Sequence, residues 1–299
     1  MFLVYRQRLL MLRCGITGSD KFGFAEALRN VRESDACILV MGGENWTTGG
    51  ETRDRNTLDL MGVQEDLILE VAKTGKPMIV VLVEGRPVTM TRWMDQADAI
   101  VMMLFAGEEG GNALAEILSG KVNPSGKLSI FYPRNVGDLP MCLLYRPYGR
   151  EGNIVEYGQG SMPPSRYFPL YPFGYGLSYT TYEYKNLKLG NEKLGKDDDL
   201  HFSIDITNTG KMDGDEIVQV YLTDLFCRIT QSEKKLKAFQ RVHIPAGETR
   251  TVSFTLPYSA FSFLNERLQL EVESGEFELL VGPDCMRGVV GRFSVNTCM

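Results

Sequence analysis

The residues best suited to chemistry lie in one glycine-rich stretch, Met41-Gly42-Gly43-Glu44-Asn45-Trp46-Thr47-Thr48-Gly49-Gly50-Glu51-Thr52-Arg53-Asp54-Arg55. A glycosidase needs a protonated carboxylic acid beside the leaving oxygen and a second carboxylate as nucleophile or base. Glu51 and Glu44 both fit the acid role chemically. Trp46 offers a flat apolar surface of the kind that stacks on the C–H face of a pyranose. On spacing alone, a solvated surface loop is the simpler reading of the five charges Glu44, Glu51, Arg53, Asp54 and Arg55.

Other chemistries lack their residues. The 299 residues hold only two histidines, His201 and His243. Each sits in a polar–apolar alternation, the pattern of a strand surface, which argues against a histidine metal site or a Ser-His-Asp triad. The six cysteines (Cys14, Cys37, Cys142, Cys227, Cys285, Cys298) show no metal-like spacing. Cys37, inside an apolar run, reads as a small core residue. No metal and no cofactor are expected, so hydrolytic chemistry would have to run on carboxylates. A net charge of −6 without basic runs argues against a nucleic-acid partner. No apolar run is long enough to span a bilayer, so no membrane partner is expected. Met1 to Cys14 is apolar but interrupted by Arg6, Arg8 and Arg13, and reads as a ragged start and not as a signal peptide.

The elements that must position this loop follow a helix–strand alternation from about residue 20 to 135. The spacing predicts helices over Phe24–Arg32, Val63–Lys73 and Gly110–Leu118. It predicts buried strands over Ala36–Met41, Met78–Val83, Ala99–Phe105 and Leu128–Tyr132. Fully apolar strands between helices imply a mostly parallel sheet with helices on both faces, an α/β sandwich. The glycine-rich loop follows the carboxyl end of the first strand, where function gathers in such sheets. From about residue 181 the pattern changes to short alternating runs, Leu200–Thr207, Glu216–Leu222, Thr249–Leu256, Leu268–Val272 and Phe277–Val281, with turn signals between them. That is an all-β sandwich of about seven strands.

Between the two regions stands Phe168-Pro169-Leu170-Tyr171-Pro172-Phe173-Gly174-Tyr175-Gly176-Leu177-Ser178-Tyr179-Thr180. Proline and glycine make this a shaped, extended connector, and its aromatics need surfaces to lie against. It closely resembles a signature of glycoside hydrolase family 3, the β-glucosidase and β-xylosidase group. The resemblance extends to Gly50-Glu51-Thr52-Arg53-Asp54-Arg55 with Leu58-Asp59-Leu60 and Gln64, although Met61 stands where the family usually has proline. Phe105 to Ala115, Asn123-Pro124-Ser125-Gly126-Lys127-Leu128, Gly214 to Leu222, Lys235 to Phe239 and Pro245 to Glu248 continue it in order.

The resemblance implies an α/β sandwich over 15–160, a packed linker over 161–180 and a fibronectin type III-like domain over 181–299. It implies that Glu51 is the general acid/base, with Glu44 as the alternative, and that Trp46, Asp54 and Arg55 contact substrate or shape the loop. The implied partner is a terminal β-linked oligosaccharide or glycoside, hydrolysed with retention. In the family the nucleophile is an aspartate on a separate barrel, which takes about 250 residues. The first helical pattern here begins at Phe24, so the expectation is a chain without that barrel, inactive alone. The barrel would then come in trans, as one half of a split enzyme, or a dimer partner would be needed. A non-catalytic carbohydrate-binding module is the remaining alternative. Full-length relatives are often periplasmic or secreted.

Overall fold

The computed structural model describes residues 15–44, 46–50, 54–141, 143 and 169–297. Two compact units emerge. The first holds the described residues up to Val122 together with Tyr132–Leu139. The second holds Asn123–Phe131 and the described residues from Pro140 on.

In the first unit three apolar runs form a parallel sheet, β1 (Cys37–Gly42), β2 (Met78–Val83) and β3 (Ala99–Met102), in the order β1-β2-β3. Cys37 pairs with Met78, and Leu82 pairs with Met102. On one face Cys37, Met41, Met78, Val80 and Leu82 are buried. Burial pushes the Cys37 thiol up to about 11, as suits a small core residue and not a reactive one. On the other face of the edge strand β1, Ile38 and Val40 are 47% and 61% exposed. Helix α1 (Phe24–Arg32) buries Phe24, Ala27 and Val31, the spacing of a single helical stripe. Helix α2 (Gln64–Ala72) buries Leu67, Ile68 and Val71, and Gly75 follows it in the left-handed conformation that ends helices. Helix α3 (Gly110–Leu118) begins at a buried glycine. A Cβ at Gly110 would lie 2.9 Å from the Ala106 side chain and 3.2 Å from Met103. The turn that opens α3 therefore serves close packing.

The outer face of α2 carries a charge cluster. Arg92 donates to Glu65 at 3.1 Å and to Asp66 at 2.8 Å, and Lys21 reaches Asp66 at 2.8 Å. Hydrogen bonds from Lys21 and Arg92 hold the Asp66 carboxyl below its ordinary range, whereas burial pushes the neighbouring Glu65 up. Asp66 therefore adds stability above about pH 4 that is lost on acidification, and Glu65 subtracts stability as pH rises past its unfolded value. Arg92→Ala is expected to raise both titrations in carboxyl NMR. An unmoved Asp66 would contradict this account.

The expected strand over Leu128–Tyr132 does not form. Leu128 donates its N–H to Tyr175 O and accepts from Gly174 N, at 2.8 and 2.7 Å, and only Tyr132 of this run enters an isolated bridge. These backbone groups are satisfied by the proline- and glycine-rich connector, so no sheet neighbour is left for them. The third strand is also shorter than its apolar run, ending before Leu104, whose φ is +52°.

The second unit is a two-sheet β-sandwich. Strands β4 (Tyr182–Leu189), β6 (Leu200–Asn208) and β9 (Thr249–Leu256) form one sheet. Strands β5 (Lys193–Leu194), β13 (Val289–Val295), β12 (Gly275–Gly282), β7 (Gly214–Asp224) and β8 (Lys235–Ile244) form the other. A small ribbon pairs β10 (Phe263–Leu264) with β11 (Leu270–Glu271), which is all that forms of the expected Leu268–Val272 strand. Alternation places Leu200, Phe202, Ile204 and Ile206 of β6 in one core with Val218, Val220 and Leu222 of β7 and Phe277, Leu279 and Val281 of β12. Each such side chain contributes about 1.5–3 kcal/mol by leaving water. His201 and His243 lie exposed on strands, as their alternation implies.

The connector belongs to this unit. Tyr171 stacks on Tyr175 at 4.9 Å, and Phe173 meets Tyr221 edge-on and Phe131 at a tilt. Gly174 has φ +85°, and a Cβ there would lie 2.1 Å from Gln219 Oε1. Phe168 lies outside the described residues.

Candidate functional site

Strand β1 ends in two glycines that no larger residue could replace. Gly42 has φ +139°, and a Cβ would stand 1.9 Å from the Val83 carbonyl oxygen of β2. A Cβ on Gly43 would stand 1.8 Å from Thr48 Oγ1 and 2.5 Å from Glu84 Oε2. The backbone must pass this closely because the buried amide of Gln64, at the start of α2, grips it. Gln64 Oε1 accepts from Gly42 N at 2.8 Å, and Gln64 Nε2 donates to Gly42 O at 2.9 Å. Helix α2 thus fixes where β1 releases the chain into the loop.

Beyond Gly43 the chain closes a tight turn. Glu44 O accepts from Thr48 N at 3.1 Å, from Gly49 N at 2.9 Å and from Thr48 Oγ1 at 2.8 Å, and Glu44 N donates to Thr48 Oγ1 at 2.7 Å. Thr48 is 1% exposed. Its carbonyl oxygen accepts from two guanidinium groups, Arg55 Nη1 at 2.9 Å and Arg86 Nη2 at 2.8 Å. Arg55 also donates to Asp59 O at 2.6 Å, and the Asp59 carboxylate accepts from Thr89 Oγ1. Burial, then the charge of Arg86, lowers the Arg55 pKa, with Glu84 and Asp59 opposing.

This base holds its polar side chains outward. Glu44 is exposed, and its Oε1 accepts from Thr47 Oγ1 at 2.7 Å. Trp46 is 76% exposed. Asp54 is exposed, and Arg55 shapes the loop through backbone carbonyls. Glu51, the first choice for the acid, lies outside the described residues, together with Asn45, Thr52 and Arg53. In sequence it falls between Thr48 and Arg55, the two residues joined across the neck of the loop.

Sequence reasoning missed Glu84 and Arg86. Glu84 is 4% exposed. Both residues belong to Glu84-Gly85-Arg86-Pro87, directly after β2, so the carboxyl-end rule that singled out the first loop applies to this one too. Among the described residues, one group could offer metal donors, Asp224, Cys227 and Glu273, with ligand atoms within 4.8 Å of one another. Burial and a hydrogen bond to Glu273 push the Cys227 thiol up to about 12, against the thiolate a metal needs. Glu273 already accepts from Arg228 N at 2.9 Å.

Comparison with known proteins places these elements. Residues 14–179 match the glycosyl hydrolase family 3 C-terminal domain, and residues 216–285 match the fibronectin type III-like domain. A β-xylosidase of Formosa agariphila is 41% identical over 269 residues, covering 90% of this chain and 36% of the relative. A periplasmic β-glucosidase of Salmonella typhimurium is 38% identical over 275 residues, covering 90% of this chain and 35% of the relative. The crystal structure of a β-glucosidase from Listeria innocua in complex with glucose superposes with a TM-score of 0.84 at 33% identity, over 95% of this chain and 39% of that one. The chain thus spans about a third of the length of the curated relatives it matches. With its α/β domain, its fibronectin type III-like sandwich and this agreement across nine-tenths of its residues, the chain belongs to glycoside hydrolase family 3.

Proposed function

We propose that the chain supplies the acid/base loop of a retaining, exo-acting β-glycosidase that removes terminal β-linked sugars of the glucose or xylose type. Glu51 is the general acid/base, and Glu44 is the alternative. Trp46, Asp54 and Arg55 form the loop's contribution to substrate binding. In the first step the Glu51 carboxylic acid gives its proton to the leaving oxygen while a second carboxylate attacks the anomeric carbon. In the second step the Glu51 carboxylate takes a proton from the water that cleaves the glycosyl ester. Neither step needs a metal or a cofactor.

The observation that carries this reading is the exposure of the loop's described carboxylates and tryptophan. Its base is locked by Gln64, Thr48, Arg55 and Arg86, while Glu44, Asp54 and Trp46 face solvent. A carboxylic acid stays protonated near neutral pH only where burial or a like charge raises its pKa. Glu44, Asp54 and Trp46 stand exposed on this unit. Retention also needs a second carboxyl about 5 Å away across the bond. A barrel, in the same protein or in trans, would bring both the burial and the nucleophile. The exposure of Trp46 also suits a second reading, a carbohydrate-binding module, which calorimetry with cellobiose and xylobiose would detect as binding without turnover.

The 299-residue chain alone is expected to release no nitrophenol from 4-nitrophenyl β-glucoside or β-xyloside. Turnover would place a nucleophile within these residues and overturn the division of labour proposed here.

A further inference from the structure

The two guanidinium groups on Thr48 come from different places. Arg55 lies on the far arm of the loop itself, so its bond closes the neck. Arg86 lies on the segment after β2, so its bond ties that neck to the sheet. The tie continues through Thr48 to the backbone N–H and C=O of Glu44. The surrounding space is full: Gly43 lies between Thr48 Oγ1 and the buried Glu84 carboxylate with no room for a methyl group. Arg86 is poorly placed for stability alone. Among the described residues its Nε is buried without an acceptor, a cost that an arginine kept for packing or simple ion pairing would avoid. Among the described residues its guanidinium donates to the loop neck, at Thr48 O.

We propose that Arg86 is a positioning residue, which orients the loop carrying Glu44 and Glu51 against the sheet through the Thr48 carbonyl. This rests on the reading of that loop as the acid/base loop. Without Arg86 the neck stays closed by Arg55 but loses its side-chain tie to the segment after β2. The acid then reaches the leaving oxygen less often, although its own chemistry is intact.

The first test uses the chain alone and needs no activity. Hydrogen exchange is followed at the amides of Gly43, Glu44, Thr48 and Gly49 in the wild type, Arg86→Ala and Arg86→Lys. Loss of a charge-assisted bond is expected to speed exchange there about tenfold in Arg86→Ala, with Ile68 and Val71 of α2 unchanged. A lysine ammonium can still give Thr48 O the single charge-assisted bond that Arg86 gives it, so Arg86→Lys should return rates to within about threefold of wild type. Exchange in Arg86→Ala within about twofold of wild type at all four amides overturns the proposal.

The second test uses the chain assembled with a family barrel. Arg86→Ala should lower kcat/KM for a methyl β-glycoside about tenfold and for a dinitrophenyl β-glycoside less than about twofold, with Arg86→Lys restoring the former. Equal losses on both substrates overturn the proposal. If alanine at both Glu51 and Glu44 leaves activity intact, the acid/base reading fails instead, and the exchange result alone decides whether Arg86 holds the neck.

Discussion

Replacing Glu51 by alanine in the chain assembled with a family barrel is expected to lower kcat/KM for a methyl β-glycoside by about 10²–10⁴-fold. The same change should leave kcat/KM for a dinitrophenyl β-glycoside near the wild-type value. A methoxide leaving group needs the proton that the proposed acid would give, whereas dinitrophenolate departs without one. The second step still needs the base, so the dinitrophenyl substrate should show a burst of about one equivalent followed by slow turnover as the glycosyl ester accumulates. Glu44→Ala should leave both substrates close to wild type. The reverse pattern would move the acid/base role to Glu44, and no leaving-group dependence at either position would remove it from this loop.

Glu216→Ala is expected to destabilise the chain by about 3–5 kcal/mol, because it removes one partner of a buried charge pair. Lys127 and Glu216 lie 3.2 Å apart, with side chains only 12% and 3% exposed. Glu216 also accepts from Tyr184 OH at 2.7 Å. Burial, followed by the Glu216 charge, pushes the Tyr184 hydroxyl far above its ordinary range, so it stays a donor at any working pH. Lys127 also reaches the Gly176 carbonyl at 3.5 Å. The loss of Glu216 thus strands an ammonium and a phenol and loosens the connector from β7. Glu216→Gln keeps an acceptor for Tyr184 and should cost less than alanine. Denaturant unfolding reads both, and a loss below about 1 kcal/mol for alanine would mean that the pair is solvated in solution.

The sequence was most legible where pattern and punctuation agree. Phe24–Arg32, Met78–Val83, Gly110–Leu118 and Thr249–Leu256 fold as expected. Each is a clean stripe, a clean alternation or a short apolar run with a stop signal. Strand β8 escaped because it is an edge strand carrying Lys235, Lys237, Arg241 and His243, and its burial hardly alternates. Strand β4 escaped because a register shift between Lys185 and Lys188, with Asn186 at φ +55°, breaks its period of two. In the loop, composition pointed to Glu44, Glu51 and Trp46. The roles of Gln64, Thr48 and Arg86 depend on contacts between the loop, α2 and the β2 end, which no local pattern encodes. Arg55 illustrates the limit: its charge suits a residue that shapes the loop, but that its donors go to the carbonyls of Thr48 and Asp59 is legible only in the fold.

The most direct test of the central claim is complementation. The 299-residue chain would be mixed with the separately produced barrel of a family relative, and nitrophenol release from 4-nitrophenyl β-glucoside and β-xyloside followed against each part alone. The account predicts turnover only in the mixture, lost when the barrel's nucleophilic aspartate is replaced. A barrel that gains no activity while binding the chain, or a chain that turns over without it, would contradict the assignment of the acid/base half to these residues.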